Sequence, residues 1–165
     1  MSIVEWVLRK KIMRLDRLLS YYPLFFFVGA RIRISDDYRK ISVRIPLRWY
    51  TKNNNGVMFG GLMCMMSDPF PALVFEKIIP DTSSWSRAHS IVYLLPSKTA
   101  VEAIIELKEE DIEDMKLQLQ EKGKAEKKFE YYFVDKNGAN IALVSSSTYI
   151  LTKKRNKELK ENVKN

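Results

Sequence analysis

Apolar residues recur at every third or fourth position through Val4, Leu8, Ile12, Leu15 and Leu19, which predicts an amphipathic helix over 2–20. Tyr21-Tyr22-Pro23 ends it, and a short aromatic run, Leu24 to Phe27, follows. Segments 28–35 and 38–47 then alternate apolar and polar residues around Asp36-Asp37, the pattern of a hairpin. From Phe59 to about Ile79 the chain is almost wholly apolar, which predicts a long buried helix. Pro69 and Pro71 each remove an amide donor, so a kink or break is expected immediately after Asp68. Four later segments read as strands, at about 85–96, 99–107, 126–136 and 139–152, the last two joined by an Asn137-Gly138 turn. Between the second and third lies a charged helix, Glu109 to Lys122, that Gly123 terminates.

Two strands, a long apolar helix and four mostly antiparallel strands make an α+β domain in which a sheet of about six strands packs one face on the helix. At 165 residues and 46% hydrophobic content the chain supports one core. The expected organisation is an N-terminal amphipathic helix over 1–22, a domain over 23–152 and a basic tail over 153–165. A sheet of this kind leaves an edge strand that a second copy can pair, so a homodimer is expected. Whether dimers assemble into tetramers stays open.

The net charge of +8 changes less than it first suggests. Residues 1–20 hold five basic and two acidic side chains and residues 153–165 hold six and two, leaving +1 for everything between. That distribution argues against a basic groove for nucleic acid, and the tail reads as a solvated, partly disordered end. Peripheral membrane contact through residues 1–20, aided by Trp6, is the less favoured alternative to packing on the domain. Cys64 is the only cysteine and His89 the only histidine, so neither a disulfide nor a recognisable metal-ligand set is expected. Cys64 reads as a small buried hydrophobe in a reducing compartment. No run of residues is long and apolar enough to span a bilayer, which points to a cytoplasmic location.

The stretch Asn53-Asn54-Asn55-Gly56-Val57-Met58-Phe59-Gly60-Gly61, running into the apolar helix that reaches Asp68, holds the candidate chemistry. Asparagines and Gly56 mark a turn, and Gly60 and Gly61 let another backbone approach the first helical turn. Unpaired amides at a helix start suit a thioester oxygen that turns negative as its carbonyl is attacked. Seven residues separate Gly61 from Asp68, about two turns, so both lie on one helix face. The competing reading is an ordinary loop-to-helix junction, with Asp68 as the N-cap of a new helix begun by Pro69.

The Asn-x-x-Gly-x-x-x-Gly-Gly loop (Asn53, Gly56, Gly60, Gly61), Asp68, and the Ser-Ile-Val-Tyr-Leu-Leu-Pro strand at Ser90–Pro96 resemble the hot-dog fold acyl-CoA thioesterase superfamily. The type is the phenylacetyl-CoA thioesterase, or PaaI-like, one, and the likeness runs from about Pro23 to Leu151. The resemblance implies an antiparallel sheet wrapped around a central helix and a dimer whose active sites lie between subunits. It implies a coenzyme A thioester as substrate and no cofactor. It places the carboxylate, as general base or nucleophile, at Asp68 and the carbonyl-polarising amide at Gly61. Asn53 then matches an asparagine that positions water or the carboxylate, and Ser86 a serine that helps hold the water. Phe59 stands where a histidine usually precedes the Gly-Gly pair, so imidazole assistance is missing there.

Around this set, Gly60, Phe59 and Met58 are expected to border the substrate, and Arg87 to meet the phosphates of coenzyme A or to lie at the surface. Met63, Met65 and Met66 fit an acyl tunnel or plain core. His89 carries no assigned role. The activity this favours is acyl-CoA thioester hydrolysis, with a non-catalytic acyl or lipid binder as the alternative.

Overall fold

The computed structural model describes residues 14–162. Of the N-terminal helix expected over 2–20, positions 2–13 lie outside the described residues, and Leu15–Ser20 are helical (α1). Pro23–Val28 form a second short helix, α2, where only an aromatic run was expected; Pro23 opens it and Gly29, at φ +72°, closes it. A hairpin follows, β1 Arg31–Ile34 and β2 Lys40–Ile45. After a single 3-10 turn at Trp49–Thr51 come α3 Gly60–Ser67, α4 Phe70–Ile78, β3 Thr82–Tyr93, β4 Val101–Glu106, α5 Glu109–Lys122, β5 Lys124–Asp135, β6 Asn140–Thr152 and α6 Lys153–Asn162.

The six strands form one antiparallel sheet in the order β1-β2-β4-β5-β6-β3. Alternation sets which side faces the helices: Ile41, Val43 and Ile45 on β2 and Val101, Ala103 and Ile105 on β4 are fully or almost fully buried. They join Met63, Met66, Phe70, Val74 and Phe75 of α3 and α4 in one core. Helix α5 contributes Ile112, Met115 and Leu119, spaced three and four apart, and places Glu109, Glu110 and Asp111 in its first turn, where they oppose the positive helix end.

The expected break at the two prolines is present, but the backbone stays helical through it: Asp68 and Pro69 both have right-handed helical angles. What changes is the hydrogen bonding. Pro71 has no N–H to give to the carbonyl of Ser67, and the hydroxyl of Tyr131 donates to that carbonyl instead, at 2.8 Å. Nearby carbonyls receive side-chain hydroxyls too: Ser86 Oγ donates to Asp68 at 2.9 Å and Ser84 Oγ to Ala72 at 2.5 Å. Burial pushes the Tyr131 hydroxyl well above its ordinary range, with the Asp68 carboxylate adding to the shift, so the phenol stays protonated and able to donate. Tyr131→Phe should therefore cost about 1–3 kcal/mol, the penalty of a buried acceptor left unsatisfied. Urea unfolding compared with wild type measures it, and an unchanged midpoint would refute this accounting.

The basic C-terminal segment is a helix up to Asn162 rather than the disordered end expected from its composition. It is tied down at its start, where the Lys153 amide donates to the Asp81 carbonyl at 2.9 Å and Arg155 donates to the Lys122 carbonyl beside Gly123. No helix among the described residues is long and apolar enough to cross a membrane.

Candidate active site

The loop before α3 is built as a small hairpin. Lys52 bridges Met58, the Asn53 amide donates to the Val57 carbonyl at 2.9 Å, and Gly56 turns the chain at φ +74°. The Asn53 side-chain oxygen is spent inside this loop, accepting from the amides of Asn55 at 2.9 Å and Val57 at 3.3 Å. Asn53 thus shapes the loop, and only its amide nitrogen remains to meet a ligand.

The two glycines do not admit a second backbone, as the sequence reading expected; they admit rings. A Cβ at Gly60 would come within 2.8 Å of the Tyr93 ring, and one at Gly61 within 2.8 Å of Phe59. Phe59 is the residue capping α3 at its N-terminus, half exposed, and no side chain caps the helix there. Between this helix start and the Leu94-Leu95-Pro96-Ser97 segment lies an open cavity of about 550 Å³, lined also by Asn53, Met58 and Met63. Met58 and Met63 therefore meet the cavity with edges of otherwise buried side chains, while Met66 is wholly core.

Asp68 stands two turns further along α3, partly exposed, and makes no side-chain hydrogen bond among the described residues. It does not cap α4: that helix has Pro69 at its cap position and no side-chain cap bond. Ser86 reaches the Asp68 backbone rather than its carboxylate. Arg87 lies on the far side of the sheet, paired with Glu126 at 2.7 Å and set 5.2 Å over the Tyr149 ring. The structure thus gathers Asn53, Met58, Phe59, Gly60 and Gly61 around one cavity, sets Asp68 and Ser86 together at the other end of α3, and leaves Arg87 apart. Seven residues at 1.5 Å of rise put Asp68 about 10 Å along the helix from Gly61.

One group escaped the sequence reading. His89 Nε2 lies 3.0 Å from Ser67 Oγ, and His89 Nδ1 lies 3.8 Å from Cys64 Sγ. A strand irregularity aims it there. Ser86 pairs with Thr148 and Ala88 with Ser147, so Arg87 is an extra residue and the alternation of β3 shifts by one. Without the bulge His89 would share the outward face with Arg87; with it, Ser86, His89, Ile91 and Tyr93 all point toward the helices. Helical spacing of Cys64 and Ser67 was visible in the sequence, but the bulge that brings histidine to them was not. The Tyr93 hydroxyl, raised by burial and by the Cys64 thiol, borders both this cluster and the cavity.

The family described as a domain of unknown function, DUF4442, matches residues 15–150. Among curated proteins, none matches the chain in sequence. Solved structures are similar in fold. A Pseudomonas aeruginosa protein of unknown function, described as a probable thioesterase, superposes with a TM-score of 0.74 at 18% identity, covering 83% of this chain and 93% of that one. A Haemophilus influenzae thioesterase gives 0.62 at 13% identity over 86% and 92%. The Escherichia coli PaaI protein, from the phenylacetic acid degradation operon, gives 0.59 at 13% over 89% and 94%. At such identities the likeness shows the fold: the sheet and broken helix are those of the hot-dog fold, as the resemblance implied.

Proposed function

The chain belongs to the DUF4442 family, and from that premise and the geometry at the start of α3 we propose that it hydrolyses acyl-CoA thioesters. The observation that carries this reading is the open, largely apolar cavity lined by the Gly60–Gly61 helix start, with a carboxylate further along the same helix face that has no side-chain partner among the described residues. Leu62 donates its amide to the Phe59 carbonyl at 3.1 Å, while the Gly60 and Gly61 amides ahead of it have no intrahelical acceptor, so a thioester carbonyl seated there meets donors aimed at the charge that develops during attack. Leu94, Leu95, Met58 and Met63 supply apolar surface for an acyl chain. Asp68, held by no other side chain among the described residues, is the base that takes a proton from the attacking water.

About 10 Å of helix between Gly61 and Asp68 is too far for both to act on one carbonyl through a single water within one chain. A second copy removes that difficulty. Strand β3 is an outer strand of the sheet, twelve residues long, and Val92 and Tyr93 at its end and Leu94 and Leu95 just beyond it are exposed. Two protomers paired along β3 would bury these residues and bring the helix of one toward the cavity of the other, as in the resemblance from sequence. A panel of short, medium, long and aryl acyl-CoA esters, assayed for free thiol, tests the proposal. Turnover of at least one ester is expected. Saturable binding without thiol release from any ester would overturn it in favour of a non-catalytic acyl binder.

A further inference from the structure

Within one chain, the nucleophilic side chain that shares the helix face of Gly61 and lies one turn from it is Cys64, not Asp68. Three residues of helix place its Cα about 4.5 Å along the axis from Gly61. Side chains of a helix lean toward its N-terminus, which directs Sγ toward the glycine turn, and Tyr93, which the Cys64 thiol perturbs, lines the cavity that Cys64 itself does not.

Its hydrogen-bond surroundings give that thiol a base. Ser67 has one hydroxyl proton, and it goes to the Cys64 carbonyl at 2.9 Å. Ser67 Oγ therefore accepts from His89 Nε2, which fixes the proton on that nitrogen and leaves Nδ1 with a lone pair facing Sγ at 3.8 Å. A buried serine thus orients an imidazole against a thiol, the arrangement of nucleophile, base and orienting group used in acyl transfer. A second feature marks the same place. Ser146, the cross-strand partner of His89, has no exposed surface, and its hydroxyl has no hydrogen-bond partner among the described residues. Buried hydroxyls are normally satisfied, so this polar atom beside the imidazole is suited to a water or to an oxygen of bound substrate.

We propose that Cys64 is an acyl-accepting nucleophile with His89 as its base, so that the acyl group passes to Sγ before water releases it. The proposal rests on the thioester reading above. His89 Nδ1 removes the thiol proton, and the sulfur bonds to the thioester carbonyl carbon. As the tetrahedral adduct collapses, the bond to the leaving sulfur breaks, and that sulfur takes the proton from His89 and departs as free thiol. Water then cleaves the acyl–Cys64 thioester, its hydroxyl joining the acyl carbon and its hydrogen returning to Sγ. No oxidant or reductant enters. Asp68 keeps its place in the second step, as the base for that water.

Two measurements on the full chain test this. In the first, wild type, Cys64→Ser and His89→Gln are mixed with an acyl-CoA ester that the wild type turns over, quenched in acid and weighed intact, with thiol release followed in parallel. An added acyl mass in wild type, absent in Cys64→Ser, is expected. Thiol release by wild type and Cys64→Ser at equal rates with no adduct would overturn the covalent route and leave the hydrolase reading standing. The second needs no thioester: alkylation of the folded protein by iodoacetamide at neutral pH, with denatured protein as the control for intrinsic reactivity. Alkylation of Cys64 should slow about tenfold or more in His89→Gln, because the thiolate loses its base. Equal rates in the folded proteins would overturn the dyad even if every thioester tried proved inert.

Discussion

Asp68→Asn should lower the rate of thioester hydrolysis by about 10²–10⁴-fold, the usual contribution of a positioned general base, with little change in folding. Little structural loss is expected because the carboxylate neither caps α4 nor bonds another side chain among the described residues; asparagine keeps its size and gives up only its basicity. The loss should fall on kcat more than on KM, since the group acts on the attacking water and not on the bound ester. If the acyl group travels through Cys64, the variant should also accumulate the acylated protein, because the step that empties it is slowed. Steady-state thiol release together with intact mass reads both effects. Turnover equal to wild type would remove Asp68 from the chemistry.

The largest effect on stability is expected at Phe75. It is fully buried on α4, with its ring centroid 5.6 Å from that of Phe129 on β5, so it ties the second half of the broken helix to the sheet. Phe75→Ala should cost about 3–5 kcal/mol through lost transfer energy and the cavity left behind. Against a total stability of roughly 5–15 kcal/mol, that is enough to lower the melting temperature by about 10 °C or more. Thermal unfolding followed by circular dichroism is the measurement, and a shift of only a degree or two would mean that the core closes over the gap.

What was legible in the chain was what periodicity and punctuation encode. Alternation located β1, β2 and β4, Asn137-Gly138 marked the turn between β5 and β6, and Gly123, at φ +64°, ended α5 where expected. The two prolines marked the change at Asp68, although the backbone remains helical there: the Tyr131 hydroxyl from β5 replaces the amide missing at Pro71, and the β3 hydroxyls of Ser86 and Ser84 add donors to the neighbouring Asp68 and Ala72 carbonyls. Those same hydroxyls explain why β3 was read as 85–96 instead of Thr82–Tyr93. Its first residues are a threonine and serines, of which Thr82 donates to the Ile79 carbonyl and Ser84 to the Ala72 carbonyl along α4, and hydropathy does not count them as inward-facing. α2 was passed over although Pro23 and Gly29 bracket it, because its aromatics are split, Phe25 buried and Phe26 and Phe27 exposed. The helix in the basic tail escaped because it is fixed by backbone bonds at its start rather than by an apolar stripe.

At the site, residue types were easier to read than their partners. Met58, Phe59, Gly60 and Gly61 do meet at a cavity, since adjacency in sequence carries them there. For Asn53 the expectation is a residue that positions water or the carboxylate; its oxygen accepts from amides of its own loop, a local bond that competes with any ligand and leaves the side-chain nitrogen for such a role. His89 could not be assigned at all, because its orientation depends on a count of residues along β3 that hydropathy does not reveal.

That count has a further consequence. Twelve residues of β3 lie opposite eleven of β6, with Arg87 as the surplus. Excising Arg87 or Ala88, which together span the single Ser147 position, would restore even spacing while every other β3 side chain kept its present side, whereas excising Trp85 or Ile91 would turn part of the strand over. By this geometry a one-residue shortening along this margin keeps the register only at Arg87 or Ala88, and a relative lacking either would still present its imidazole to the thiol.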